Sequence, residues 1–170
     1  MSIYNISNWA VGTTYNIYDI VKYGNYWYYS LVNTNLAQTP ASGSTSWGGV
    51  TTFNLLSKPN FHFKPSYGYN VDVEGSLKTI KYGEGYEQRI PDGINNILLK
   101  IDLVFDLRGS NETQAISHFL EKRCSLGESF VFTPLAPFNL AKLFYCRNFA
   151  VDNPFFENFT IKARFEEVPN

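Results

Sequence analysis

The sequence predicts a mainly β protein with one α-helix, in which a small aromatic-rich β-hairpin module precedes a sandwich or barrel of roughly six to eight strands. Period-two alternation recurs along the chain and is longest at 97–107, where Ile97, Leu99, Ile101, Leu103, Phe105 and Leu107 interleave with Lys100, Asp102 and Asp106. A helical stripe of Ala115, Ile116, Phe119 and Leu120 appears once. Composition also changes sharply near residue 50. Residues 1–50 hold all three Trp, seven of twelve Tyr, no Phe and only Asp19 and Lys22 as charges, whereas all fourteen Phe follow. That shift puts a boundary within 50–59 and divides the chain into modules of 1–52 and 58–170.

In the first module, 18–23 and 26–32 are rich in β-branched and aromatic residues and flank Gly24-Asn25, the two-residue signal of a tight hairpin. Residues 33–46 read as a loop that ends at Trp47. So short a unit cannot be held by aliphatics alone, so its large rings must supply most of the core. Alternation places Trp27 and Tyr29 on one face of the second strand and Tyr26 and Tyr28 on the other, and only one face is expected to be core. Trp9, Tyr15, the run Tyr18-Asp19-Ile20-Val21-Lys22-Tyr23-Gly24, Tyr26, Pro40 and Trp47 resemble the chitin-binding-like modules of carbohydrate-binding families five and twelve. Ser30 and Leu31 stand where tandem aromatics usually follow in such modules. The resemblance implies Tyr26, Trp27, Tyr28 and Trp47 as possible glycan-stacking rings. The simpler reading of the same rings is as core and as a docking surface toward a neighbouring subunit, because exposed apolar patches more often mean protein contact.

In the second module, Phe61-His62-Phe63-Lys64-Pro65 alternates as an early strand, and 76–82 alternates again. After the long strand, Gly109-Ser110-Asn111 starts the helix, with Asn111 and Gln114 in capping-box relation and a C-terminal end near 124–127. His118 beside the stripe is read as structural. Residues 129–133 form a short strand stopped by Pro134, and the apolar loop 134–138 is expected to touch something. Residues 142–149 and 159–167 complete the strands, the last with Phe159, Ile161, Ala163 and Phe165 inward.

The most distinctive stretch is Tyr82-Gly83-Glu84-Gly85-Tyr86-Glu87-Gln88-Arg89, followed by Pro91-Asp92-Gly93-Ile94-Asn95. Physically it is a Gly-x-Gly reversal, a short charged strand and a second reversal. It resembles the signature of the phage minor tail protein M family, the lambda-type tail-tip proteins. The resemblance continues in order through Phe119-Leu120-Glu121, 129–134, Cys146 and Phe165-Glu166-Glu167-Val168. It implies a tail-tube-like domain that assembles as a ring, hexameric, at the distal tail tip, between the tail tube and the receptor-binding hub, with the long strand lining the channel for DNA. It further implies inter-subunit contacts through Tyr82, Gly83, Glu84, Gly85, Tyr86, Gln88, Arg89, Pro91, Gly93 and Asn95, with Pro134 and Phe138 reaching adjacent rings. The partners so implied are copies of the chain, tail-tube and hub proteins, and passing DNA without specific binding.

Other chemistries find little purchase. The third glycine of a dinucleotide fingerprint would fall on Gln88, and no Lys-Ser/Thr pair follows. Two cysteines and two histidines without ligand spacing give no metal site, and no cofactor is indicated. A net charge of −1 offers no general attraction to nucleic acid or anionic membrane. No apolar run approaches membrane-spanning length, and residues 1–5 lack signal-peptide character, so synthesis in a host cytoplasm is expected. Glu84, Glu87 and Asp92 cluster in sequence as a glycosidase pair could, but turn and rim charges are the simpler reading. The chain therefore reads as a non-enzymatic structural protein, with a glycan-binding protein or a tail-borne glycan hydrolase as the rival readings.

Overall fold

The computed structural model describes residues 6–51 and 58–169. The strands are β1 (Ile6–Asn8), β2 (Thr14–Tyr15), β3 (Ile20–Tyr23), β4 (Tyr26–Ser30), β5 (Asn35–Leu36), β6 (Trp47–Gly49), β7 (Asn70–Gly75), β8 (Leu77–Lys81), β9 (Glu87–Pro91), β10 (Ile97–Arg108), β11 (Phe130–Phe132), β12 (Lys142–Phe155) and β13 (Asn158–Glu167). The α-helix of the described residues, α1, spans Ser110–Leu126. The protein is thus mainly β with one helix.

The central sheet runs β11-β12-β13-β10-β7, with its neighbouring strands antiparallel. Alternation on β10 holds for Leu99, Ile101, Leu103 and Phe105, all buried, but fails at both ends. Ile97 is exposed, and Leu107 is turned out by a bulge between Phe105 and Arg108 in which Leu107 itself takes φ +53°. A bulge of this kind re-aims one side chain at a strand's rim, and hydropathy alone cannot locate it. β7 was not anticipated, although Val71 and Val73 alternate with Asp72 and Glu74. β12 runs further than expected because it forms a hairpin with β13 that turns at Phe156-Glu157.

The segment 61–65 keeps the expected alternation, with Phe61, Phe63 and Pro65 buried and His62 and Lys64 exposed, yet forms no strand. Its ladder is replaced by a single parallel bridge, Asn60 to Val131. The ring of Phe61 meets those of Phe63, Phe105, Phe119, Phe130, Phe132 and Phe165 with centroids 5.1–5.8 Å apart, mostly edge to face.

Helix α1 starts two residues earlier than predicted, and the capping box does not form. Gly109 is the N-cap without a side-chain bond, and Asn111 instead donates to Asp19 Oδ1 at 3.1 Å, tying the helix start to the N-terminal half. The C-terminal end closes on Gly127 in the left-handed conformation, with its N–H and that of Glu128 capping the Cys124 and Arg123 carbonyls. All residues from 115 to 120 are buried, including His118, because α1 is covered on two sides.

The second cover is the small sheet β1-β3-β4-β6. Trp27 lies edge-on to His118, with Lys122 Nζ 5.0 Å above its ring. Burial, together with the nearby Lys122 charge, pushes His118 down to about 4 and keeps it neutral at neutral pH. Tyr29 stacks on Phe63 at 4.9 Å and shares a hydrogen bond with His62 Nδ1 at 2.8 Å. A Cβ on Gly48 would lie 2.5 Å from the Tyr29 ring, so glycine is required there. The opposite face of β4 is buried too, with Tyr28 in a cluster of Tyr15, Val21 and Trp47. Both faces are core because the sheet borrows Phe63 and α1 for one of them. Ile20, Tyr29 and Val50 therefore lie in the same cluster as the sheet and helix, and the two compositional halves share a core. The expected boundary falls largely on 52–57, outside the described residues.

Phe61→Ala should cost about 3–5 kcal/mol, the range for deleting a buried phenyl ring, and Phe61→Leu clearly less. Urea-unfolding midpoints check this; equal losses for both would mean that the ring contacts are not what holds the segment.

Candidate assembly surfaces

Three surfaces combine exposure with order: a projecting arm, a polar sheet face and the open edges of the central sheet. The arm is the β8–β9 ribbon, which pairs with no other strand among the described residues. Its register sets Leu77 opposite Pro91, Thr79 opposite Arg89 and Lys81 opposite Glu87, with Lys78–Ile90 and Ile80–Gln88 on the other face. Ser76 joins it to the body, donating to the Asn96 carbonyl at 2.7 Å and accepting from Asp92 N–H at 3.0 Å. The arm thus continues the β7–β10 ribbon past a five-residue excursion, 92–96, in which Gly93 takes φ +89° and Ile94 is 99% exposed.

At the tip, Glu84 and Gly85 both take positive φ, and Tyr82 N–H donates to the Tyr86 carbonyl at 2.8 Å. The Tyr82 and Tyr86 rings are tilted together at 5.8 Å, and Tyr82 Oη donates to Gln88 Oε1 at 3.2 Å. Arg89 pairs with Glu87 at 2.5 Å. Every residue from 81 to 95 is exposed, with Tyr82, Tyr86, Ile90 and Ile94 the large apolar groups among them. An isolated two-stranded ribbon is marginal in water, and exposed apolar groups along one make it a candidate contact surface. All ten signature residues lie on this arm or its base excursion. Its carboxylates do not converge: Glu84 and Glu87 are near the tip, whereas Asp92 lies at the base beside Ser76, with the five-residue strands between them.

The apolar loop behaves differently from the arm. Pro134 is buried and Phe138 is half-buried against the main core, while Ala136, Pro137 and Leu140 are exposed. Of the four rings implied for glycan, Tyr28 and Trp47 are buried, Trp27 is covered in part by α1, and Tyr26 is 37% exposed.

The sheet face away from α1 carries a charge ladder. Lys100 pairs with Glu74 at 2.6 Å, Arg164 with Asp102 at 3.5 Å, Arg147 with Glu166 at 3.2 Å, and Lys162 with Asp152 at 3.2 Å. The Tyr145 hydroxyl and then the Arg147 guanidinium hold the Glu166 carboxyl below its usual range. Apart from the buried Glu166 carboxylate these pairs are at least partly exposed and add little stability, but they leave no unbalanced stripe of charge.

The sheet ends in two open edges. β7 pairs only with β10, and β12 pairs with β11 only through 142–144, so among the described residues no strand covers the outer edge of β7 or of β12 beyond Phe144. The β7 edge carries Asp72 and Glu74, and the β12 edge carries Arg147.

The family model of the phage minor tail proteins matches residues 59–169, which include the arm, the ladder, both edges and α1. The chain belongs to the phage minor tail protein family. It is accordingly a structural component of the virion tail, working among other tail components. No curated protein matches the chain. No helix among the described residues is long and apolar enough to cross a membrane. The small N-terminal sheet of this minor tail protein lies outside the matched residues. Sequence patterning located the arm and the strand that becomes β12, but not β7, the strand at the other open edge.

Arg89→Ala and Tyr86→Ser should each leave the thermal stability of the isolated minor tail protein within about 0.5 kcal/mol of the parent, since neither residue touches the core. A larger loss by calorimetry would show that the arm is part of the folded body.

Proposed function

We propose that this minor tail protein forms a ring, six-membered, at the distal tip of the tail, joining the tail tube to the receptor-binding hub. The observation that carries this reading is the pair of open edges on opposite sides of one sheet. β7 of one copy would pair with β12 of the next, a head-to-tail contact that closes when its rotation divides the circle. Exposed edges are otherwise an aggregation hazard, so their purposeful pairing removes a liability as well as making an assembly. Acidic Asp72 and Glu74 would then meet the side of the sheet that carries Arg147.

Closure in this sense turns the charge ladder toward the channel. Four strands per copy, β7, β10, β13 and β12, would form the wall. Cations that are already paired across strands release few counterions when DNA passes, so DNA is not held. The arm then reaches beyond the wall, with Tyr82, Tyr86, Ile90 and Ile94 filling a neighbour or the adjacent ring, and Arg89 giving up its local partner for one across the interface. The loop 134–138 adds contact through its exposed Ala136 and Pro137, with Pro134 and Phe138 as its anchors. The small N-terminal sheet faces away as a docking platform. Glycan contact by that sheet is the second reading, and it would fall chiefly to Tyr26, whose ring remains open.

Arg89→Ala, supplied as the sole copy during infection, should abolish tail assembly while the isolated protein keeps its fold. Counting tails in lysates by electron microscopy checks this. Normal tail numbers with the variant would remove the arm from the assembly mechanism.

A further inference from the structure

Cys124 lies in the last turn of α1 and Cys146 in β12, 22 positions apart. The Cys124 thiol donates to the Cys146 carbonyl at 3.2 Å, and the Cys146 thiol donates to the Asn148 carbonyl at 3.5 Å. Cys146 is buried and Cys124 half-buried, so Cys124 is the more accessible of the two. No group of three His, Cys, Asp or Glu that could hold a metal occurs among the described residues, so the pair is not half of a metal cluster there. Contact with the Cys146 thiol lowers the Cys124 pKa, whereas the same contact and burial raise that of Cys146. Cys124, the less buried of the two, is the thiol that attacks first.

We propose that Cys124 and Cys146 form an intramolecular disulfide that locks the C-terminal end of α1 onto β12 in the released virion. Thiols are kept reduced in a cytosol, whereas disulfides form and persist on virions in oxidising surroundings. The reaction is exchange with a small-molecule disulfide. The Cys124 thiolate attacks one sulfur of oxidised glutathione, forming a mixed disulfide and expelling one glutathione thiolate. The Cys146 thiol then loses its proton to solvent and displaces the second glutathione, so the two protein thiols are oxidised and the glutathione disulfide is reduced to two thiols. The Cys124 sulfur already lies against the backbone of the residue it would bond to. The crosslink closes a loop containing β11 and the apolar 134–138 segment, and it stiffens the wall without adding to any interface. It depends on virion residence, and it is independent of ring size or of strand pairing between copies.

The test uses the purified full chain, incubated with oxidised glutathione or with dithiothreitol, then denatured, alkylated and weighed. The oxidised sample should be lighter by two hydrogens and unlabelled, and its digest should contain a peptide pair joined through Cys124 and Cys146. Its melting temperature should exceed that of the reduced sample by roughly 5–10 °C, as expected for a closed loop of this size in a protein of this length. Label on both cysteines, glutathione retained on Cys124, or a bond between chains would each overturn the proposal.

Discussion

One phenyl ring joins the parts of this molecule. Phe61 projects from a segment with almost no ladder of its own and meets rings from the helix, the central sheet, β11 and its own neighbour Phe63. Phe63 in turn stacks on Tyr29 of the small sheet, so a relay of aromatic contacts runs from one compositional half to the other. Aromatic pairs of this geometry add about 0.5–1.5 kcal/mol each beyond the area they bury. That strength is what permits a segment without strand partners to hold a fixed place. The small sheet depends on the same relay, because half of its own core lies in the other half of the chain.

Local pattern made the central strand, the helix and the signature arm legible in the sequence. Leu99, Ile101, Leu103 and Phe105 on the strand and Ala115, Ile116, Phe119 and Leu120 on the helix are buried as their periods require, and the Gly-x-Gly reversal forms with its positive φ on Glu84 and Gly85. What local pattern could not show was sharing. Nothing near Tyr29 announces Phe63, and nothing near Asn111 announces Asp19, since those partners are fixed by tertiary packing. Leu107 alternates in sequence but is exposed, because a bulge is a matter of backbone register rather than hydropathy. β7 carries a legible period of its own, yet it is short and acidic, and without it the open edge that matters for assembly is invisible.

The surfaces divide by task. The core-facing side of the central sheet is aromatic and aliphatic apart from Cys146 and gives most of the stability; the opposite side is a ladder of balanced ions that adds little. The arm contributes nothing to the core and still holds a defined register through its own ladder and its link at Ser76. The proposed contact with another subunit would cover the exposed Tyr82 and Tyr86 rings that the arm holds in order without burial.

The most direct test of this account is a cryo-electron microscopy map of the isolated tail at side-chain resolution, with this chain traced in it. The predicted result is a closed ring at the distal tip in which β7 of each copy pairs with β12 of the next and the Lys100–Arg164 face lines the channel. A chain lying outside the tube, or a ring whose ladder faces outward with both edges unpaired, would contradict it.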